Sequence, residues 1–362
     1  MKVAFVTPAY YPALMGASLY CQGLGKHLVS KGIDVTVHTN ATPDMKKEEV
    51  VEGICVKRFY PKVIGMYYIS QGMLSSVLKE DADVIHSHHY GYYPATAGLI
   101  AAKLKKLPHV FGPYYHPPLY GVKSFLATQA YHFTQGLPLI RLSEKVLPHT
   151  EYEKKLLIAV GADPYYIEIL PNIVETSLFK PHKKEKIVLF VSTLMSEKGA
   201  HAALDIAEQV TSNRNDATFV FIGRINEKEI FEKVKRLSKN KKIKFLNNLS
   251  LQELIRWYAR SLIFILPSKY EAFARVIAEA QSCGTVVIAT KVGGIPEVLV
   301  DKKSGLMVEY GDWKKMKEYI EYLLDHPSKA KAMGKAGRLH VVQNFDTAAV
   351  GNKLVKIYED LL

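Results

Sequence analysis

Leu266-Pro267-Ser268-Lys269-Tyr270-Glu271-Ala272-Phe273-Ala274-Arg275 runs on through Val276 to Glu279, then to Gly284 and to Gly293-Gly294-Ile295-Pro296-Glu297. The apolar run from Ser261 to Leu266 has the length and β-branched content of a buried strand. A tight loop follows it, and the spacing predicts a helix from about Arg275 to Cys283. Glu271 and Glu279 bracket the N-terminus of that helix. Eight residues apart, they lie at most ~12 Å from each other at ~1.5 Å per residue. Free N–H groups and the positive dipole end at a helix N-terminus suit a phosphate. Carboxylates accept hydrogen bonds from hydroxyl groups but repel a phosphate. The ligand this pattern describes carries phosphate in its middle and hydroxyls at both ends, which is the form of a nucleotide-sugar.

The same stretch resembles the donor site of the retaining glycosyltransferases of family 4. That family carries Glu-x7-Glu within a Pro-Ser-x-x-Glu-Gly-Phe-Gly…Glu-Ala…Cys-Gly…Gly-Gly-x-x-Glu pattern. Two glutamates at this spacing would also suit an ordinary βαβ unit. Pro267, Ser268, Cys283-Gly284 and Gly293-Gly294 at matching offsets favour the family. The resemblance implies a GT-B fold, with two Rossmann-like domains facing a central cleft and a last helix crossing back to the first domain.

Outward from this segment the chain alternates apolar strands with helical stretches twice over, the signature of parallel sheets covered by helices. In the first half strands are predicted at Val3–Thr7, Val35–Thr39, Val51–Tyr60, Val84–His88, His109–Gly112, Lys145–Pro148 and Ile167–Leu170. Helices are predicted there at Ser18–Lys31, Tyr67–Lys79, Ala95–Lys106, Lys123–Leu142 and Tyr152–Val160. In the second half strands are predicted at Ile187–Ser192, Phe219–Ile222, Ile243–Leu246, Ile263–Leu266, Val286–Ala289 and Leu306–Val308. Residues Phe179 to Glu185 lose periodicity and turn polar, as a linker does. Pro171-Asn172-Ile173-Val174-Glu175…Phe179-Lys180-Pro181 resembles the family's inter-domain segment, with Ile173 where a glycine is usual. The expected division is an acceptor-side domain of residues 1–175 plus the helix 347–362, and a donor-binding domain of residues 176–346. Ligands of open α/β sheets bind at the C-terminal ends of the strands, so the motifs should follow strands.

Composition narrows the classes. The 362 residues suit two domains, and no apolar run approaches the ~18 residues of a membrane span. Met1-Lys2 leads directly into a strand, so no leader is expected. Cys21, Cys55 and Cys283 form neither a metal spacing nor a disulfide framework, and the expected compartment is cytoplasmic. The net charge is +13. Much of the excess lies in the second half, notably from Lys228 to Lys244, where Ile230, Phe231, Val234 and Leu237 suggest an amphipathic helix with a solvated basic face. Peripheral contact with anionic membrane lipid is the second reading of that charge. Nucleic acid is disfavoured, since no recognition motif accompanies it.

The resemblance assigns further roles. Ser192-Thr193-Leu194-Met195-Ser196-Glu197-Lys198-Gly199 is similar to the family's Gly-Arg-Leu…Glu-Lys-Gly loop, which makes Lys198 the cation that neutralises a departing diphosphate. Thr193 stands where the family has arginine, and Arg275, ranked ahead of Arg224, is the candidate to compensate. Glu279 would hold the ribose hydroxyls. Glu271 and the backbone of Phe273 and Ala274 would orient the sugar and phosphate. Ala272 and Ala274 replace glycines and so restrict the backbone. Gly16, in the loop Pro8 to Ala17, corresponds to the family's Pro-x-x-Gly-Gly turn near the donor phosphate. His116 corresponds to the histidine that contacts the transferred sugar.

Residues 84–143 contain six histidines and no Asp or Glu. His86-x-His88-His89 has a metal-site reading, weakened because adjacent strand residues point to opposite faces. An aromatic and basic acceptor surface is a better reading of this stretch than a metal site, and a Tyr-rich core with scattered lysines is at least as strong a reading. Neither a cofactor nor a metal is expected. The implied activity is metal-independent, retaining transfer of a hexose from a UDP-, GDP- or ADP-sugar to a glycan or lipid-headgroup hydroxyl. Rival readings are a sugar-nucleotide epimerase and a non-catalytic partner subunit.

Overall fold

The computed structural model describes residues 1–13, 16–42, 44–64, 67–116 and 130–362. They form two compact units, Met1–Ile173 with Thr347–Leu362, and Val174–Asp346.

The first unit contains β1 (Lys2–Thr7), β2 (Asp34–Asn40), β3 (Glu48–Val51), β4 (Ile54–Phe59), β5 (Pro61–Ile64), β6 (Tyr67–Ser70), β7 (Val84–His88), β8 (His109–Gly112) and β9 (Lys145–Val146). Its main sheet has the order β3-β4-β2-β1-β7-β8-β9, parallel except for β3 at the edge. The chain reverses direction between β1 and β7, the switch point where a doubly wound sheet opens a crevice. Residues Val84 to His88 are buried on both faces, as a central parallel strand requires.

Several expectations are corrected here. The single strand foreseen from Val51 to Tyr60 starts earlier and folds back, because Glu52 and Gly53 both adopt positive φ and make a two-residue hairpin turn between β3 and β4. The helix foreseen from Tyr67 begins as β6, paired with β5, and turns helical only at Met73–Lys79, after Gly72 at φ 84°. Ile167 makes a single bridge to Val146 and no longer strand. The start of the helix foreseen at Lys123 lies outside the described residues; its later part is a π-helical turn, His132–Gly136, continued by a helix at Leu137–Leu142.

The final helix, Thr347–Glu359, belongs to the first unit. Val350, Leu354, Ile357 and Tyr358 recur at helical spacing and are all buried in that unit's core. Full burial of such side chains contributes about 1.5–3 kcal/mol each before entropy is subtracted. The Tyr358 hydroxyl also meets His86 Nδ1 on β7 at 2.6 Å.

The second unit contains β10 (Glu185–Val191), β11 (Thr218–Ile222), β12 (Ile243–Leu246), β13 (Ser261–Leu266), β14 (Val286–Thr290) and β15 (Gly305–Val308). All pair in parallel in the order β12-β11-β10-β13-β14-β15. The switch point lies between β10 and β13, so the loops that leave these two strands must meet.

Candidate functional site

Those two loops carry Lys198 and Glu271. After β10 the chain passes through a 3-10 turn, Ser196–Lys198, into the helix Ala200–Asn213. Gly199 joins them at φ 70°, and a Cβ there would lie 2.0 Å from the Pro267 carbonyl oxygen. Only glycine allows that approach. The Lys269 amide donates to the Glu197 carbonyl at 2.8 Å, which stitches the loops together. Lys198 Nζ then donates to Glu271 Oε1 at 2.8 Å, and Ser268 Oγ donates to the same oxygen at 2.9 Å. Behind them Thr290 Oγ1 donates to the Ser268 carbonyl at 2.6 Å. The Gly294 amide donates to the Glu271 carbonyl at 2.9 Å.

The chain then enters the helix Arg275–Ser282 through Ala274, whose φ of 61° is left-handed. Alanine therefore takes up the backbone conformation that the family's glycine supplies, at a strain of about 1–2 kcal/mol. Phe273 anchors the turn, buried edge-on against Phe345 with ring centroids 5.3 Å apart.

Glu279 is buried one turn into this helix. Its carboxylate accepts from Arg275 Nε at 2.9 Å and from the Tyr258 hydroxyl at 3.1 Å. Arg275 is thereby committed to a carboxylate, which counts against it as the substitute for the cation missing at Thr193. Arg224 is exposed, and among the described residues it forms no ion pair. Its carbonyl accepts from the Leu194 amide at 2.8 Å, so it sits directly beside the Thr193 loop.

Arg224 also lines a cavity of about 470 Å³ with Leu194, Phe231, Phe245, Asn247 and Asn248, at the C-terminal ends of β10, β11 and β12. The motifs did not point to this cavity, nor to Tyr258. The available signal was position: Gly223-Arg224 and Asn247-Asn248 each follow a strand directly.

Within the second unit the structure thus gathers Thr193, Lys198, Glu271, Phe273, Ala274, Arg275 and Glu279 around the loops of β10 and β13. Gly16 and His116 lie in the first unit. Gly16 opens the helix Gly16–Ser30 with nothing within 4 Å of where a Cβ would stand. His116 is exposed, four residues after β8.

Among the described residues the histidine-rich stretch is in large part interior, as the Tyr-rich-core reading has it. His86, His88, His109, Tyr115 and Tyr131 are buried, and His86 and His88 stack with centroids 4.1 Å apart. Desolvation lowers the pKa of His86, His89 and His109 to about 3 each, and that of His88 well below its ordinary value. Tyr92, Ile100, Lys103, Leu104 and Lys106 face outward. Among the described residues no group of three His, Cys, Asp or Glu could hold a metal ion, and no helix is long and apolar enough to cross a membrane.

Two parallel, doubly wound units of this order define the GT-B class. The crystal structure of Anabaena HepE in complex with UDP and glucose matches with a TM-score of 0.81 at 18% identity, covering 100% of both chains. A sucrose-phosphate synthase from Thermosynechococcus elongatus gives 0.79 at 18%, over 99% of this chain and 98% of its own. Residues 175–340 match the family model Glycosyl transferases group 1, and residues 15–178 match Glycosyltransferase Family 4. The chain belongs to this glycosyltransferase family. Among curated relatives, the alpha-maltose-1-phosphate synthase of Mycobacterium tuberculosis is 24% identical over 99% of each chain. A GDP-mannose-dependent phosphatidylinositol monomannoside mannosyltransferase of Corynebacterium glutamicum is 31% identical over 56% of this chain and 58% of its own.

Proposed function

We propose that this chain is a metal-independent, retaining hexosyltransferase. Residues 174–346 hold the nucleotide-sugar, and residues 1–173 with 347–362 receive the acceptor hydroxyl of a glycan or lipid headgroup. The observation that carries the reading is the meeting of Lys198, Glu271 and Glu279 around the loops of one sheet's switch point. In this reading the diphosphate lies over the N-terminus of the helix Arg275–Ser282. Lys198 then turns from Glu271 toward the phosphate oxygen that gains charge as the sugar–phosphate bond breaks. Glu271 and the backbone of Phe273 and Ala274 orient the sugar. Glu279, fixed by Tyr258 and Arg275, accepts the ribose hydroxyls. His116 contacts the transferred sugar, and Gly16 serves the donor phosphate. The Glu271 carboxylate is tied to Lys198 and Ser268, which suits positioning better than nucleophilic attack. The acceptor oxygen therefore bonds to the anomeric carbon on the face the phosphate leaves, and its proton passes to that phosphate.

The outward Ile100, Lys103, Leu104 and Lys106 suit peripheral contact with an anionic membrane, and the compartment proposed is the cytoplasm. The experiment is a thermal-stability screen with UDP-, GDP- and ADP-sugars on the wild type and on Lys198→Ala, because a ligand that binds the native state raises its melting temperature. One donor should raise the wild-type midpoint and raise that of the variant less. The absence of any shift with every donor would refute the reading.

A further inference from the structure

At the opposite end of the helix Arg275–Ser282 lies a second cavity, of about 370 Å³. Its charged lining is entirely cationic, Lys183, Lys184, Lys331, Lys335 and Arg338, with His182 beside them and no carboxylate. Two of these are fixed. Lys184 Nζ donates to the carbonyls of Ala259 and Cys283 at 2.8 Å each and to Thr285 Oγ1 at 2.7 Å. Arg338 Nη1 donates to the Phe179 carbonyl at 2.8 Å and to that of Ser282. These bonds occupy the carbonyl ends of the helices Leu251–Arg260 and Arg275–Ser282, so the negative ends of both dipoles are already engaged by Lys184 and Arg338. His182, Lys183, Lys331 and Lys335 are exposed at the rim. Gly284, at φ 68°, and Pro181 complete the wall without a bulky side chain.

None of the six forms an ion pair among the described residues. By contrast Lys186, Lys233 and Arg260 of the same unit are paired, with Asp216, Asp205 and Glu185. Lys331 and Lys335 stand at i, i+4 on one helix, where like charges destabilise each other. Burial draws the Lys184 ammonium down to about 8. A concave, carboxylate-free cluster of this kind is stabilised by an anion of high charge density.

We propose that this cavity binds a phosphate-bearing polyanion, with Lys184 and Arg338 as its fixed floor and Lys183, Lys331 and Lys335 as closing contacts. The site is separate from the one proposed for the donor: the eight-residue helix between them spans about 12 Å. The polyanion is either a soluble polyphosphate or a phospholipid headgroup.

The test uses calorimetry with inorganic tripolyphosphate, and co-sedimentation with phosphatidylglycerol–phosphatidylcholine vesicles, on four proteins. These are the wild type, the double variant Lys331→Ala/Lys335→Ala, Lys198→Ala, and a control double variant Lys235→Ala/Lys239→Ala on another basic surface. Removing two charge-assisted contacts should weaken tripolyphosphate binding by about tenfold or more in the first double variant. The control should bind as the wild type does, and Lys198→Ala should retain the binding event that the first double variant loses. Loss confined to vesicle binding in the first double variant identifies a lipid headgroup instead. Failure of both probes to bind, an equal loss in the control, or a loss in Lys198→Ala with none in the first double variant would overturn the proposal.

Discussion

Gly293→Ala tests whether the backbone between β14 and the helix Ile295–Val298 sets the position of Glu271. Gly293 has φ 53°, and a Cβ there would stand 1.9 Å from the Glu271 carbonyl oxygen and 3.0 Å from its carbon. Carbon atoms do not approach oxygen closer than 3.0 Å, so the two backbones must separate by about 1 Å. Both sides are backbone, and neither can rotate away as a side chain would. The Gly294 amide bond to the same carbonyl would be lost as well. A displacement of ~1 Å at a group that orients substrate costs about 10²-fold in turnover. The left-handed strain alone adds about 1–2 kcal/mol to the folded state. Gly311→Ala separates the two effects, because Gly311 has φ 98° but nothing within 4 Å of its Cβ position. Both variants should melt below the wild type, whereas only Gly293→Ala should lose turnover, measured as kcat/KM for the donor that the stability screen identifies. Wild-type kcat/KM in Gly293→Ala would refute the argument that this contact places Glu271.

Three further outcomes are expected. Lys198→Ala should lower kcat by about 10²–10³-fold with little change in melting temperature, since the lost interaction is one that strengthens in the transition state; steady-state kinetics with saturating donor decide it. Tyr258→Phe removes the hydroxyl 3.1 Å from Glu279 and should raise the donor KM by about three- to tenfold, equivalent to about 0.5–1.5 kcal/mol, with kcat held near the wild-type value. Acid should destabilise the first unit. His86, His89 and His109 titrate near 3 when folded and near 6.5 when unfolded, so their contribution is complete above 6.5 and is lost as pH falls toward 3. Each should cost about 1.4 kcal/mol per pH unit below 6.5, read as a falling urea midpoint from pH 6.5 to 4.5, and His89→Phe should flatten the slope.

The strands of the second unit were legible because a parallel strand covered on both faces must be apolar throughout, and Ser261 to Leu266 is buried at every position. The meeting of Lys198 and Glu271 was legible only through motif order. The strand order that forces it depends on which strands pair, and no local pattern encodes that. Ala274 shows the opposite limit. Its side chain argued for ordinary backbone, yet Phe273, buried beside it, and the helix that follows hold it left-handed. Lys184 was hidden in a segment whose polarity marked it as a linker, while its ammonium is tucked under two helix ends. Residues 84–143 left two readings open, a surface and a core, because composition does not say whether histidine and tyrosine face water; stacked rings pack as core, and His86 and His88 do so.

The last helix bears on biosynthesis. Its buried Leu354, Ile357 and Tyr358 complete a core whose members outside this helix were translated about 180 or more residues earlier. The segment Val174–Asp346 is an insertion in that unit, fully emerged before its host has all its parts. During synthesis the inserted body therefore has all its parts first, and the unit that encloses it is the one that closes last.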